Sequence, residues 1–543
     1  MESLPGWLIP LPDAAAMRAI DRWAIDEQGV PGLDLMERAG AAVARAVEEL
    51  APDGDVAIVC GKGNNGGDGL VVARLLREAG RSASVVCVAP PWELAGDAGA
   101  NLARLPGPAP VKLGGGAWRR EDAGVRAGDG AGREGAGDSA VEARQGPLAG
   151  CSAVVDALLG TGFEGRPRDD IGQAIDAINE ARAPVVSVDV PSGVDASTGV
   201  VAGAAVRAAA TVTFHAAKPG LWIAPGKEHA GEVRVADIGI PRGAPLSAPV
   251  GLLTSAALAR LPTRAAGWTK FTSGHVVVAG GSRGLAGAPQ MTARASMRAG
   301  AGYVTLCVTR SLQDAIAAAG WPELMTRGLP EEDGEIAPAA AEDALRATER
   351  GGALALGPGL GRGAGAVAFA RELARRAEVA MVLDADGLNA HARRLGDLAA
   401  RTAPTVLTPH AGELARLLDS DSATIERERR RHACEAAAHA QAVVVLKGDD
   451  SLIADPGGRT AVSPGGSPAL ATAGTGDVLT GVIAALLSRG IGAFEAACAG
   501  VWLHAEAGRE AARLRGGVDG VVASDVIEAL AAVRGAGARE EGR

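Results

Sequence analysis

The fold of the second half of the chain is predicted most clearly by Gly474-Thr475-Gly476-Asp477, continued by Val478-Leu479-Thr480-Gly481-Val482-Ile483. The apolar spacing after Asp477 predicts a helix that begins within the glycine-rich run. The first N–H groups of a helix have no partner inside it, and together with the helix dipole they attract an anion. A strand predicted at residues 442–447 comes before this helix and ends in Lys447-Gly448. The pattern therefore predicts an α/β domain with a site for a phosphoryl group.

Asp477 lies just inside the predicted helix. A carboxylate at this place can simply cap the helix N-terminus, which is a common role. It can also accept the proton of a hydroxyl group that attacks a phosphoryl group. The lysine-glycine strand end nearby favours the second role.

Length and composition limit the class of protein. A chain of 543 residues is too long for one hydrophobic core and predicts about two to four domains. The formal net charge is −10 and there is no long Lys/Arg run, so nucleic acid is not an expected partner. No apolar stretch reaches the roughly 18 residues that span a bilayer, and the N-terminus lacks a signal-peptide pattern. We expect a cytoplasmic protein without membrane segments, whose six scattered cysteines are buried free thiols.

Short Val/Ile-rich runs alternate with helix-length segments in both halves. In the first half this pattern predicts a parallel sheet covered on both faces, with strands at Val56–Cys60, 84–88, 153–156, 185–189 and Ala210–Phe214 and helices at 69–79 and 171–181. In the second half the predicted strands are His275–Ala279, 303–308, Ala353–Leu356, 380–384, Thr405–Leu407 and 442–447.

Three prolines within residues 240–249 predict an interdomain linker. We therefore expect domains at 1–240 and 251–535, a linker at 241–250 and a polar tail at 536–543. Residues 106–150 have almost no large apolar side chains and predict a mobile surface insertion in the first domain.

Polar residues follow three predicted strands of the first domain. Residues 61–69 form a glycine-rich stretch with two asparagines and an aspartate, predicted as a loop before a helix. Asp156 ends a second strand and Asp189 a third, which continues to Ser192. Ligands of open α/β sheets bind beyond the carboxyl ends of the strands, so these groups predict one site. Its oxygen-rich composition suits a hard cation, with K⁺, Na⁺ and Mg²⁺ all plausible.

Four motifs in order, GKGNNGGDG (61–69), VVDALLGTG (154–162), SVDVPSG (187–193) and FHAAKPG (214–220), resemble the epimerase domain of the NAD(P)H-hydrate repair family over residues 10–240, apart from the insertion. The resemblance implies a Rossmann-like three-layer α/β sandwich and a K⁺ site formed by Asn65, Asp156 and Ser192. It implies contacts with the hydrated dinucleotide from Asn64, Asn65, Gly66, Gly67, Asp68, Gly160, Thr161, Gly162, Phe163, Glu164, Gly165, Arg166 and Asp189.

Asp189 is the candidate acid/base group for inverting C6 of the damaged nicotinamide ring. Lys218 either assists it electrostatically or is a surface lysine before a turn.

The second half resembles the ribokinase-like superfamily and, within it, the ADP-dependent NAD(P)H-hydrate dehydratase over residues 252–530. The motifs are AGGSRG (279–284), RAGAG (298–302), LGPGLG (356–361), LDADGLN (383–389) and LTPHAGE (407–413). The resemblance assigns ADP binding to Lys447, Gly448, Asp449, Asp450, Ser451, Ser467, Pro468, Ala469, Leu470, Ala471, Thr472, Ala473, Gly474, Thr475 and Gly476. It assigns the hydrate to Gly359, Thr408, Pro409, His410, Ala411, Gly412, Glu413, Leu414 and Asp477.

The implied reaction is physically sensible, because hydroxide is a poor leaving group and phosphate a good one. Phosphorylation of the C6 hydroxyl of the (S)-hydrate by ADP, with Asp477 as base and Mg²⁺ as an accompanying ion, would be followed by loss of phosphate. His410 is the histidine expected to be functional, at least as a ligand contact.

Two residues depart from the family pattern. Ser467 stands where the family has asparagine and Ala473 where it has glycine, and we expect an effect on nucleotide affinity more than on reaction type.

Two other functions remain open at this point. One is a ribokinase-like kinase for a small vitamin precursor with an accessory N-terminal domain. The other makes the N-terminal half a nucleotide-binding sensor or a partner-binding module without catalysis. The expected partners are small molecules, the hydrates of NADH and NADPH together with ADP, and the chain is expected to form a homo-oligomer.

Overall fold

The computed structural model describes residues 4–117, 147–319 and 321–540, and the chain forms two compact units. The N-terminal unit comprises residues 10–248, and the C-terminal unit comprises residues 4–9 together with residues from 249 onward. Both are α/β structures with mainly parallel sheets, as the sequence predicts.

The strands are β1 Ile9–Leu11, β2 Val56–Cys60, β3 Ala83–Cys87, β4 Val111–Lys112, β5 Ala153–Ala157, β6 Val185–Val188, β7 Ala210–Phe214, β8 Glu232–Ala236, β9 Val250–Leu252, β10 His275–Ala279, β11 Tyr303–Thr309, β12 Leu324–Leu329, β13 Glu331–Glu332, β14 Glu335–Ile336, β15 Ala353–Leu356, β16 Ala380–Leu383, β17 Thr405–Leu407, β18 Val443–Leu446, β19 Leu452–Ala454 and β20 Thr460–Val462.

The α-helices are α1 Ala14–Arg22, α2 Gly32–Leu50, α3 Asn64–Glu78, α4 Gly96–Ala103, α5 Asp169–Glu180, α6 Lys227–Ala230, α7 Gly287–Arg298, α8 Arg310–Ala319, α9 Ala341–Thr348, α10 Ala364–Arg376, α11 Asp386–Ala390, α12 Ala411–Leu418, α13 Ser422–Arg427, α14 Arg429–Ala440, α15 Thr475–Leu487, α16 Ala493–Arg515 and α17 Ala523–Glu540.

The N-terminal unit is a three-layer sandwich. Its seven strands lie in the order β4-β3-β2-β5-β6-β7-β8, and the neighbouring pairs are parallel. Along β2, Val56 and Ile58 pack into one buried cluster, whereas Ala57 and Val59 pack into another. Because successive side chains of a strand point to opposite faces, both faces of this sheet are covered, as its continuous apolar strands predict.

Helix α3 begins earlier than the sequence predicts. Residues 64–69 are its first turns rather than part of a loop. Their glycines serve close packing: a Cβ on Gly66 would lie 2.0 Å from the Gly61 carbonyl oxygen, and one on Gly69 would lie 2.7 Å from the Ala157 Cβ. The missing side chains let α3 lie directly against the ends of β2 and β5, which brings Asn65 and Asp68 to the edge of the sheet.

The C-terminal unit contains an eleven-stranded mixed sheet in the order β1-β9-β20-β19-β18-β17-β16-β15-β10-β11-β12. Its strands from β18 through β17, β16, β15 and β10 to β12 are parallel. Strands β18, β19 and β20 form an antiparallel meander, which the sequence pattern does not predict. The residues of β19 and β20 are buried, but each strand has only three residues, which is too short for a clear periodic signal.

The segment before residue 10 packs with the C-terminal unit, so its predicted place in the N-terminal domain 1–240 is wrong. Leu8 is buried in the C-terminal core, and the Trp7 ring lies 6.4 Å from the Phe494 ring. These apolar side chains are covered there, which the local sequence pattern does not reveal.

Residues 118–146 of the predicted insertion lie outside the described residues. Its two ends carry packed apolar side chains, since Val111 in β4 and Leu148 belong to a core cluster. Helix α17 extends to Glu540 and takes in the first part of the predicted polar tail, whereas residues 541–543 are outside the described chain.

Among the described residues, none of the helices combines the length and the apolar character needed to cross a bilayer. All six cysteines are free thiols, and four of them are buried.

We predict that Gly69→Ala destabilises the N-terminal unit by about 1–3 kcal/mol, because its Cβ would overlap Ala157 and the Cys60 sulfur. Gly172→Ala is the matched control. Gly172 lies in α5 with no atom within 4 Å of its virtual Cβ, so alanine should stabilise the unit by about 0.5–1 kcal/mol. Hydrogen exchange of the β2 amides in a urea series measures this unit alone. Equal stability of the two variants would contradict the close-packing role of Gly69.

Candidate active sites

The N-terminal unit has a cavity of about 670 Å³ at the carboxyl ends of its strands. Of the residues predicted to contact a ligand, it is lined by Asn64, Asn65, Asp68, Gly160, Thr161, Gly162, Phe163, Glu164 and Asp189. The other four, Gly66, Gly67, Gly165 and Arg166, do not line the cavity, and Gly67 packs on Met36, which does. A volume of this size is typical of small-molecule sites.

Asp189 and Lys218 form a buried ion pair in this cavity. The Lys218 Nζ lies 2.6 Å from Asp189 Oδ1 and also donates to the Thr213 hydroxyl at 2.8 Å and to the Phe214 carbonyl at 3.0 Å. Lys218 is only 1% exposed, so its interpretation as a surface lysine is wrong. Asp189 has a left-handed backbone with φ of 66°, a conformation that aspartate tolerates better than most residues. The loop after β6 thus aims the carboxylate into the cavity.

Asn65, which lines the cavity, comes together with Ser192 at Leu159, and Ser192 in turn contacts Asp156. Asp156 is fully buried, and its carboxylate accepts hydrogen bonds from the Ser192 hydroxyl at 2.6 Å and from the Ser187 hydroxyl at 2.9 Å. The Asn65 amide nitrogen donates to the carbonyl oxygens of Leu159 at 2.7 Å and Val188 at 3.0 Å. Burial raises the pKa of Asp156, although its hydrogen bonds oppose this shift.

Two further carboxyl groups line the same cavity. Burial, together with repulsion from Asp189 and Asp21, holds the pKa of Asp68 well above its ordinary value. Burial also raises the pKa of Asp21 in α1, and Lys218 opposes that shift. Asp68 therefore retains a proton more readily than an ordinary aspartate, and the cavity offers both a proton donor and a carboxylate paired with Lys218.

In the C-terminal unit, Gly474 turns the chain into α15. Its φ is 92°, and a Cβ there would lie 2.6 Å from the Met291 side chain, so both conformation and space require glycine. The Thr475 hydroxyl closes the loop by donating to the carbonyls of Leu470 at 2.8 Å and Thr472 at 3.0 Å. The first-turn N–H groups of this thirteen-residue helix have no helical acceptor and point toward its N-terminal end, where they can bind a phosphoryl group.

Lys447 lies among three carboxylates at the start of this helix. Its Nζ is 3.0 Å from Asp384 Oδ1 and 3.7 Å from Glu413 Oε2. Burial lowers the pKa of Lys447, but its attraction to Asp384 and Glu413 outweighs this and raises it. Burial and repulsion from Asp384 raise the pKa of Asp477 to about 7, while Lys447 opposes the shift. Asp477 is therefore poised to take up a proton near neutral pH.

The predicted nucleotide loop, residues 447–451, is held from below by a buried ion pair. Arg429 contacts both carboxylate oxygens of Asp450 at 3.0 Å, and both side chains are almost fully buried. Asp450 thus positions the loop from its interior side. Ser451 donates to the Gly448 carbonyl at 2.7 Å, which closes the turn.

The two departures from the family pattern are accommodated locally. The hydroxyl of Ser467 accepts from the Ala469 amide at 3.3 Å and caps the short helical turn Pro468–Leu470. Ala473 has an ordinary backbone conformation, since it is not among the residues with positive φ. Alanine is therefore tolerated before the cradle.

The predicted hydrate-binding residues divide into two groups. Gly359 has a φ of 62° and its carbonyl accepts from the Ser282 hydroxyl at 3.0 Å, which shapes the glycine-rich loop after β15. His410 caps α12: its Nδ1 accepts from the Gly412 amide at 3.0 Å, and its ring is 56% exposed. In contrast, Thr408 and Leu414 are fully buried. Their side chains support the loop from inside the unit.

Three residues at these sites have no assigned role in the sequence analysis: Asp21, Asp384 and Arg429. Asp21 lies on the same helix face as the buried residues Met17 and Ala24. An acidic residue on an apolar face is a feature of the sequence that could have indicated its role. Asp384 follows β16 directly, and its position at the carboxyl end of a parallel strand could have indicated a role in the site. Arg429 has no signal in the sequence, because its partner Asp450 lies in another element.

Both halves of the chain match known family models. Residues 276–531 match the model described as NAD(P)H-hydrate dehydratase, and residues 32–220 match the YjeF-related protein N-terminus. A bifunctional NAD(P)H-hydrate repair enzyme of Moorella thermoacetica is 40% identical over 529 residues, covering 95% of each chain. The enzyme of that name from Salinibacter ruber is 40% identical over 502 residues, covering 90% of each chain.

Among solved structures, an ADP/ATP-dependent NAD(P)H-hydrate dehydratase from Bacillus subtilis, co-crystallised with ATP and Mg²⁺, is 28% identical. It covers 52% of this chain and 97% of its own, with a TM-score of 0.46. The two family models and the relatives that span nearly the whole chain agree on both halves. This chain belongs to the family of bifunctional NAD(P)H-hydrate repair enzymes.

Proposed function

We propose that this chain repairs hydrated NADH and NADPH in two reactions. The N-terminal unit interconverts the (R)- and (S)-hydrates at C6, and the C-terminal unit dehydrates the (S)-hydrate with ADP, releasing AMP and phosphate. The proposal rests on the phosphoryl cradle, residues 474–477 at the start of α15. There Asp477, with a pKa raised to about 7, lies near the Lys447 ammonium.

The dehydration proceeds in two balanced steps. The C6 hydroxyl oxygen bonds to the β-phosphorus of ADP, the bridging bond to AMP breaks, and the hydroxyl proton passes to Asp477. The C6–O bond then breaks with phosphate as leaving group, and C5 loses a proton, which restores the dihydropyridine. The free N–H groups before Val478 stabilise the transferring phosphoryl group. Mg²⁺ is proposed only as the ion that accompanies the phosphates of ADP.

The epimerisation requires one proton donor and one proton acceptor. Loss of the C6 hydroxyl as water leaves a planar C6, to which water can return from either face. Asp68, whose raised pKa favours the protonated form, supports the role of donor. Asp189, which faces Lys218, supports the role of acceptor. Both line the same cavity.

A potassium ion is the cation that we propose for the N-terminal unit. Asn65, Asp156 and Ser192 offer amide, carboxylate and hydroxyl oxygens, and the carbonyls of Leu159 and Val188 are adjacent. This all-oxygen donor set with a single carboxylate fits a hard monovalent ion. The ion would supply positive charge next to Asn65 at the cavity and order the loop after β5.

We predict that purified protein given both epimers of hydrated NADH with ADP recovers NADH completely, as followed by its absorbance. Asp477→Asn should lower dehydration by about 10²–10⁴-fold, because the base for the hydroxyl proton is lost. Epimer exchange, measured by chromatography of the two hydrates, should stay intact in the same variant.

Recovery that stops at one epimer would leave the N-terminal unit as a binding module. Phosphorylation of a vitamin precursor with no NADH recovery would instead identify a small-molecule kinase. Loss of both reactions in Asp477→Asn would contradict two separate sites.

We predict that exchanging K⁺ for a bulky organic cation slows epimerisation several-fold or more and leaves dehydration of pure (S)-hydrate in the same buffer unchanged. Asp156→Asn should reduce the dependence on K⁺, because a charged oxygen ligand is replaced. Epimerisation at the same rate in both buffers would contradict the cation site.

We predict that Lys218→Met abolishes epimerisation and destabilises the N-terminal unit by about 3–5 kcal/mol, because Asp189 is left buried without its partner. The matched control is the double variant Asp189→Asn with Lys218→Met, which removes both charges. It should regain most of the stability in urea unfolding without regaining epimerisation. A double variant as unstable as Lys218→Met would show that the lysine acts through packing rather than charge.

A further inference from the structure

The carboxylate of Asp384 connects three elements of the C-terminal unit. Its Oδ1 contacts Lys447 Nζ at 3.0 Å, and its Oδ2 accepts the Thr480 hydroxyl at 2.8 Å. Lys447 follows β18 and begins the nucleotide loop, whereas Thr480 lies in α15, one turn beyond Asp477. Asp384 is only 2% exposed. Both oxygens of one buried carboxylate are thus engaged, one by each side of the proposed phosphoryl site.

The backbone holds Asp384 in this place. Its amide donates to the Leu356 carbonyl at 3.1 Å, and a Cβ on Gly357 would lie 2.0 Å from the Asp384 carbonyl oxygen. The next residue, Ala385, has a φ of 50° and a ψ of −119°, which is a strained conformation for alanine. Strained residues that the surroundings hold in place are concentrated at functional sites.

Lys447 extends this connection to the loop proposed to bind the hydrate. Its Nζ lies 3.7 Å from Glu413, whose Oε2 also accepts the His410 amide at 2.9 Å. The same Nζ is 3.5 Å from the position of a Cβ on Gly476, directly at the cradle. The ammonium therefore stands where the nucleotide loop, the hydrate loop and the helix that bears the proposed base meet.

We infer that Asp384 is a positioning residue for dehydration, which holds the Lys447 ammonium and the Asp477 carboxylate in a fixed relation across the phosphoryl cradle. This inference rests on the proposed function of the C-terminal unit. Asp384 touches neither reactant in it: it acts on Lys447 through their ion pair and on Asp477 through Thr480 and through its own charge.

The charges around Asp477 predict the direction in which each neighbour shifts its pKa. Burial and Asp384 raise the pKa of Asp477 to about 7, and Lys447 lowers it. Lys447 in turn faces Glu413 and His504, and burial lowers the pKa of His504 to about 4, which leaves that ring neutral at pH 7. As a base, Asp477 must be deprotonated, so kcat for dehydration should fall as the pH drops below about 7.

The first experiment follows the ionisation of Asp477 without any substrate. In full-length protein with ¹³C-labelled aspartate carboxyls, the Asp477 signal is identified by its absence in Asp477→Asn. We expect Asp384→Asn to move its titration midpoint to lower pH and Lys447→Met to move it to higher pH. Thr480→Val keeps both charges and removes only the hydrogen bond to Asp384, so its midpoint should move less than that of either charge variant.

The second experiment measures dehydration of pure (S)-hydrate against pH. Asp384→Asn should lower kcat at least about tenfold and shift the acidic limb to lower pH, with little change in the KM for the hydrate. A merely structural role would not move the limb. The epimerase activity of the same chain serves as an internal control of protein concentration.

The inference would be overturned if the midpoints of the two charge variants shifted in the same direction. It would also be overturned if Asp384→Asn left the Asp477 midpoint unmoved and kcat within about twofold of wild type. If Asp384→Asn does not fold, Lys447→Met decides, since a shift to lower pH or no shift contradicts the proposed coupling. Opposite midpoint shifts in a protein that performs no dehydration would leave the coupling standing and refute the proposed function instead.

Discussion

Both units depend on a carboxylate that is paired with a lysine where parallel strands end. Asp189 meets Lys218 at 2.6 Å in the N-terminal unit, and Asp384 meets Lys447 at 3.0 Å in the C-terminal unit. Separating either pair would leave a buried carboxylate without a partner and lower the stability of the fold by several kcal/mol. Each pair therefore holds together the two loops that carry its members. Elements far apart in the chain are thereby fixed around one cavity or cradle.

Near these pairs, other carboxyl groups have pKa values raised above the ordinary value for aspartate. Asp68 is pushed toward its protonated form by burial and by neighbouring carboxylates, and Asp477 is brought to a pKa of about 7 by burial and Asp384. Two titratable groups whose environments differ can serve as acid and base in one site. The chemistry proposed for each unit thus follows from one shared arrangement, in which a lysine neutralises one carboxylate while a second carboxyl group keeps or exchanges a proton.

Glycine has two distinct uses in bringing backbone to these sites. In α3 the glycines have helical backbone, and they allow the helix to lie within contact distance of the ends of β2 and β5. At Gly474 a left-handed backbone with φ of 92° redirects the chain into α15. The sequence shows a glycine-rich run in both places. Only the structure shows that the glycines of α3 serve close packing in a helix that begins at Asn64, whereas Gly474 serves a backbone conformation that favours glycine.

The class of fold, most strand positions, the start of α15 within residues 474–477 and the motifs of both halves could be predicted from the sequence, because these depend on local periodicity and on short-range spacing. The sequence did not determine the burial of Lys218, the ion pair of Asp450 with Arg429, or the place of Asp21 and Asp384. Each of these depends on a partner in another element. Burial and charge pairing arise only when distant segments meet, so the polar residues that are paired, protonated or held in place become known only from the folded chain.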